Sequence, residues 1–119
     1  MSNIVQYIVV RSDLRSALSW PLGAVIAQSC HATAAVIHLN AEDADTVAYL
    51  KDLDNMHKVV LEAKDETALV KLSEKLKEHE IKHKLWIEQP ENIPTCIALK
   101  PYVKDTVHKY VKHFKLLKE

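Results

Sequence analysis

The sequence predicts a single α/β domain with a four-stranded mixed sheet flanked by helices, in the order β-α-α-β-α-β-β-α. Three observations carry that expectation. Short runs rich in β-branched residues alternate with longer segments of helical period. One glycine and four prolines among 119 residues leave little material for linkers. Hydrophobic residues make up 48% and charged residues 27%, a balance that supports a core without metal or disulfide and argues against extended disorder. One domain over residues 1–119 is therefore expected.

The elements follow in chain order. Ile4–Val10 is short and β-branched, which reads as a buried strand, and a polar loop begins at Arg11. Ser19-Trp20-Pro21 reads as a helix start, with Ser19 as N-cap and Pro21 in the first turn. That helix is expected to run to about Leu39, apolar nearly all round and so buried on more than one side. Asn40 is expected to cap a second helix over 41–53, whose acidic first turn (Glu42, Asp43) suits a helix N-terminus. His57–Glu62 reads as the second strand. Asp65 caps a third helix with Leu69, Leu72 and Leu76 as its buried stripe. Ile81–Ile87 alternates as a third strand. Glu88–Pro94 is expected to be a loop, because its two prolines do not fit a central strand. Thr95–Leu99 is the fourth strand, joined to the third as an antiparallel hairpin, and Lys104–Phe114 is the final helix.

Net charge is zero, so nucleic-acid binding would need a local patch. Acids cluster early (Glu42, Asp43, Asp45, Asp52, Asp54), while the last part carries Lys82, Lys84, Lys100, Lys104, Lys109, Lys112, Lys115 and Lys118. That asymmetry can make a dipolar surface, although solvated lysines are the plainer reading. The two cysteines, Cys30 and Cys96, lie in apolar runs without metal-ligand spacing and read as buried free thiols. No basic leader or long uninterrupted apolar stretch is seen. A soluble protein of a reducing, cytoplasmic compartment, with no membrane partner, is the expectation.

Chemistry concentrates where the first strand ends and the long helix begins. In α/β sheets ligands gather at the carboxyl ends of strands, and helix N-termini offer free N–H groups to anions. Arg11 and Asp13 leave the strand there. Gly23, the sole glycine, falls in the first helical turn, either to admit a ligand or to permit tight packing on the sheet. Gln28 and His31 share a helix face with Ala24. His31 reads as a general base or donor, or as a satisfied structural histidine. Glu88 at a strand end is placed to orient water, or is a solvated loop residue. Thr95 opens the next strand. No nucleophile elbow, P-loop, dinucleotide fingerprint or zinc-protease motif occurs.

Four stretches resemble the type-2 (archaeal and eukaryotic) peptidyl-tRNA hydrolases: VVRSDL (9–14), GAVIAQSCHA (23–32), TCIALKP (95–101) and HFKLL (113–117). SWP-x-GA and LW-x-EQPENI-x-TCIAL (85–99) are similar to the divergent eukaryotic branch of peptidyl-tRNA hydrolase domain-containing proteins. The resemblance implies a four-stranded mixed sheet. It also implies cleavage of the ester joining a peptide to the 3′ ribose of tRNA, with no metal or cofactor. It makes peptidyl-tRNA the partner and a homodimer the expected assembly.

The resemblance further implies that Arg11, Asp13, Gly23, Gln28, His31 and Thr95 are retained family positions and that Glu88 stands nearest to the family's catalytic aspartate. Family enzymes carry lysines on both sides of the turn glycine, whereas this chain has Leu22 and Ala24. Alanine cannot supply a phosphate contact or an oxyanion stabiliser.

Two functions follow. In the first the chain hydrolyses peptidyl-tRNA, with Glu88, His31 and Thr95 catalytic and Arg11, Asp13, Gly23 and Gln28 in the substrate site. Lys82, Lys84 or Lys100 would stand in for the missing lysine. In the second the scaffold is a noncatalytic RNA- or protein-binding module.

Overall fold

The computed structural model describes residues 3–118, so residues 1, 2 and 119 of the expected domain lie outside that range. The chain runs through β1 (Ile4–Arg11), α1 (Asp13–Ser16), α2 (Leu22–Leu39), α3 (Ala44–Lys51) and a 3-10 turn (Leu53–Asn55). It continues through β2 (Lys58–Ala63), α4 (Glu66–Glu78), β3 (His83–Glu88) and β4 (Ile93–Leu99). β5 (Tyr102–Val103), α5 (Lys104–Val111) and β6 (Lys115–Leu116) complete it. The sheet is mixed but holds six strands, not the expected four, in the order β3-β4-β1-β2-β6 with β5 on β1. The two additional strands have two residues each, too short for alternation to show in the sequence.

β1 is central because it is apolar on both faces. Val5, Tyr7 and Val9 enter one core with Leu69, Leu72 and Leu76 of α4 and Val107, Tyr110 and Val111 of α5. Ile8 and Val10 enter the other with Val25, Ala32 and Val36 of α2 and Cys96 and Ala98 of β4. Each fully buried Val, Leu or Ile contributes about 1.5–3 kcal/mol, so these two cores fix the layers. The sheet thus lies between α2 on one face and α4 with α5 on the other. β1 pairs parallel with β2 (Val9 opposite Leu61) and antiparallel with β4 (Val9 opposite Ile97). β3 pairs antiparallel with β4, Trp86 opposite Cys96. The carboxyl ends of β1 and β3, the start of β4 and the start of α2 therefore meet at one edge of the sheet.

Local signals held in some places and failed in others. Asp65 caps α4, accepting the Ala68 N–H at 2.9 Å. Ser19 does not cap α2. It takes a left-handed φ of 57°, uncommon outside glycine, and Pro21 occupies the cap position with no side-chain hydrogen bond. The Trp20 N–H instead ties this loop to the Leu14 carbonyl at 2.8 Å. Asn40 closes α2, its amide donating to the Val36 carbonyl at 2.9 Å. α3 starts later, where Asp43 accepts from the N–H groups of Asp45 and Thr46.

The expected 88–94 loop contracts, because Glu88 ends β3 and Ile93 and Pro94 begin β4. Pro94 is tolerated because it lies beyond the residues that β4 pairs with β1, opposite a register shift in β3. Cys30 is exposed rather than buried, while Cys96 is buried. α2 has the length and composition of a membrane span, with a mean hydropathy of 1.4 over 18 residues, contrary to the expectation from sequence. It docks on the sheet through Val25, Ala32 and Val36 and leaves Leu22, Ile26 and Leu39 exposed.

Candidate active site

Glu88 is held by two donors. The Trp86 indole N–H reaches its Oε1 at 3.0 Å, and the Gln28 amide reaches its Oε2 at 3.2 Å. Trp86 and Glu88 are two residues apart on β3, and strand periodicity turns both toward α2. The His31 ring stacks on Trp86 with centroids 4.7 Å apart and planes 20° from parallel. The hydrogen bond from Trp86, the bond from Gln28 and the proximity of His31 outweigh partial desolvation and hold the Glu88 carboxyl below its ordinary range. Glu88 is thus an anion near neutral pH, competent to orient water and weak as a proton acceptor.

Gln28 organises the cluster from α2. It is 1% exposed, and its amide also donates to the Ala24 carbonyl one turn back at 3.0 Å. Its carbonyl oxygen accepts from the Thr95 hydroxyl at 2.8 Å. Thr95 is fully buried, and its hydroxyl proton is committed to Gln28. The Pro21 carbonyl accepts the Ala24 and Val25 N–H groups at 3.0 and 3.2 Å, which leaves those of Leu22 and Gly23 without intrahelical acceptors. A Cβ added at Gly23 would meet nothing within 4 Å. The space above this turn is open, and tight packing on the sheet does not explain the glycine.

Arg11 and Asp13 brace the same edge. The guanidinium grips Asp13 through two bonds of 2.9 Å, donates to the Pro94 carbonyl at 3.0 Å and lies 3.5 Å from Glu66. The Asp13 hydrogen bond raises the Arg11 pKa against the effect of burial. With its charge matched in this way, Arg11 holds the start of β4 in place.

The three lysines stand elsewhere. Lys82 precedes β3, Lys84 lies near its start and Lys100 follows β4, so all sit at the opposite edge from Glu88 and Thr95. At roughly 3.3 Å per strand residue, Lys84 is about 13 Å along β3 from Glu88. Lys100 is 4% exposed and spends its charge inside, 3.0 Å from Asp43 and 3.6 Å from Asp45. Its ammonium also lies 3.5 Å from the centre of the Tyr102 ring. Lys82 and Lys84, with Lys77, line a cleft of about 730 Å³. A larger groove of about 850 Å³ lies between α4 and α5 and contains none of the residues around Glu88.

Two contributors were missed at the sequence level, Trp86 and Glu66. Trp86 carried a signal, because the Trp-x-Glu spacing puts an indole and a carboxylate on one strand face. Glu66 carried none, since its pairing with Arg11 joins α4 to β1 across the fold.

Fold and site together define a small three-layer α/β domain with a carboxylate and an imidazole gathered at the carboxyl edge of its strands. A solved structure of a protein of unknown function, Atu0240 from Agrobacterium tumefaciens, shares this fold. Its TM-score is 0.68 with 14% identity, covering 99% of this chain and 100% of that one. The chain belongs to the peptidyl-tRNA hydrolase PTH2 family, whose model matches residues 4–117. It is 55% identical over 116 residues to the mouse protein named "Putative peptidyl-tRNA hydrolase PTRHD1", covering 97% of this chain and 83% of the mouse protein. The human protein of the same name is 54% identical over the same length, with the same coverage.

Proposed function

We propose that this protein hydrolyses peptidyl-tRNA, cleaving the ester between a peptide and the 3′ ribose and releasing tRNA for reuse in translation. Family membership supports the substrate class. The observation that carries the mechanism is the ionised Glu88, fixed by Trp86 and Gln28 beside the His31 ring.

Glu88 orients a water against the ester carbonyl. The water oxygen forms the new bond to the carbonyl carbon, and the bond from that carbon to the ribose oxygen breaks. His31, whose side chain is exposed, takes the water proton and returns it to the leaving ribose oxygen. The free N–H groups at the start of α2, beside the open space at Gly23, stabilise the developing oxyanion in the role a side-chain cation would otherwise fill. Thr95 and Arg11 hold Gln28 and the β4 start in position. Lys77, Lys82 and Lys84 meet phosphates of the acceptor arm at the far end of β3. A cytoplasmic setting accords with that substrate.

The test is release of deacylated tRNA from purified N-acetylaminoacyl-tRNA, with an active family enzyme run in parallel. Turnover that disappears in Glu88→Gln supports the proposal. Salt-sensitive tRNA binding with no ester cleavage overturns it and leaves a binding module.

A further inference from the structure

We propose that Trp86 is the positioning residue of this site, supporting His31 with its ring face and Glu88 with its indole N–H. The inference rests on the hydrolase reading for its kinetic consequence, but its geometry stands apart from that reading. Trp86 is the residue that contacts both ionisable groups of the proposed mechanism, at 3.0 Å to Glu88 and 4.7 Å between rings to His31. It is half-buried on the edge strand, and its backbone lies opposite the fully buried Cys96. It packs against the core formed by Val25, Ala32 and Val36. The indole is therefore fixed by packing, and it transfers that order to Glu88 and to the more exposed His31.

The consequence is specific because the two functions of the ring separate chemically. A phenyl ring preserves a surface for His31 and removes the only N–H. An aliphatic side chain removes both. The neighbouring elements carry other ionisable groups. α2 presents His31 and Cys30, β3 presents Lys84 two residues before Trp86, the following turn carries Glu91, and β4 presents Cys96. Burial pushes the Cys96 thiol up to about 12, so it stays protonated throughout the range of interest.

Removing a hydrogen bond that favours the charged carboxylate raises its pKa. In Trp86→Phe the Glu88 side-chain carboxyl, followed by carbon NMR, then titrates at higher pH than in the wild type. kcat falls on the order of tenfold to a hundredfold, while KM changes little, as for misplacement of a reacting group. Trp86→Leu loses more kcat than Trp86→Phe because His31 also loses its support. A purely structural tryptophan would lower thermal stability in both variants without moving the Glu88 titration.

A second measurement needs no turnover and no substitution at Trp86. In the folded wild-type chain the Trp86 indole N–H resonance is followed against pH by NMR, with Trp20 as internal control. The Trp86 resonance is expected to shift through the Glu88 titration, and Glu88→Gln to abolish that shift. An indole signal that ignores Glu88, or an unmoved Glu88 titration in Trp86→Phe, overturns the inference. A wild-type chain inert toward peptidyl-tRNA that still shows the coupled titration would sink the hydrolase reading and leave this one intact.

Discussion

Replacing Gln28 with leucine tests whether the site is one connected polar network. Gln28 is 1% exposed and makes three side-chain hydrogen bonds, at 2.8 Å from Thr95, 3.0 Å to Ala24 and 3.2 Å to Glu88. Leucine nearly matches its volume and removes all three. The bond to the carboxylate is the stronger kind in principle, yet it is also the longest. The larger effect is the orphaned Thr95 hydroxyl, fully buried, whose unmet desolvation costs about 1–3 kcal/mol. With the other losses, and with the gain from burying an apolar side chain, Gln28→Leu is expected to destabilise the fold by about 2–4 kcal/mol. That corresponds to a fall in Tm of roughly 8–20 °C for a domain of this size. Thr95→Val alone should cost about 1–2 kcal/mol, because it orphans the glutamine oxygen. Valine at 95 in the leucine background removes the unsatisfied hydroxyl, so the two changes together should cost about 1–2 kcal/mol less than their sum. Urea unfolding followed by far-ultraviolet circular dichroism gives all four corners of the cycle. Costs that add to within about 0.5 kcal/mol would refute a shared network.

Other consequences follow from the same geometry. Gly23→Ala places a methyl group in open space in the first turn of α2, so stability should rise by up to about 0.5 kcal/mol in thermal unfolding. If substrate approaches there, peptidyl-tRNA cleavage falls as stability rises; unchanged cleavage removes Gly23 from the site. Lys100→Met leaves Asp43 and Asp45 without their cation and should cost about 1–2 kcal/mol. That is less than breaking a fully buried pair, because the two carboxylates are 35% and 37% exposed. For Asp43, burial opposes ionisation, but Lys100 and the Thr46 and Asp45 N–H groups outweigh it, so its folded pKa lies below 3.8. Its contribution to stability is present above the unfolded value and lost as pH falls below about 4 through the folded value. Lys100→Met should flatten that acid-side loss in pH-dependent unfolding, and an identical slope would exclude the pair as its source. Finally, Ellman's reagent should label Cys30 in the native protein and Cys96 only after unfolding, since Cys30 is exposed and Cys96 is buried. Two fast thiols would contradict the packing beneath α2.

Much of the architecture was legible because it rests on local patterns. The Leu69, Leu72 and Leu76 stripe and the Asp65 cap specify α4 from neighbouring residues alone. The β1 run is short, β-branched and apolar, so its burial as a strand could be read directly. Failures occur where tertiary contacts choose among locally equivalent options. Ser19 and Asn40 are good cap residues, yet the loop anchored by Trp20 on Leu14 shapes the start of α2, and Asp43 rather than Asn40 caps α3. Pro94 lies in a strand because its neighbour on one side has already ended. β5 and β6 exist only through pairing with β1 and β2.

The site divides in the same way. Gln28, His31, Glu88 and Thr95 were legible as polar residues in apolar settings or at strand ends. That Thr95 serves Gln28, and that Trp86 joins His31 to Glu88, depends on α2 lying across β3 and β4. The lysines read as one cationic group because charge in a sequence carries no direction. In the fold Lys100 turns inward to acids almost sixty positions earlier, while Lys82 and Lys84 face a cleft at the far edge.

The most direct trial is single-turnover cleavage of N-acetylaminoacyl-tRNA by the wild-type chain and Glu88→Gln at matched tRNA occupancy. A wild-type rate at least about 10²-fold above the variant, with equal tRNA affinity, is the outcome expected of a water-orienting carboxylate. Equal rates in the two proteins would contradict that role for Glu88.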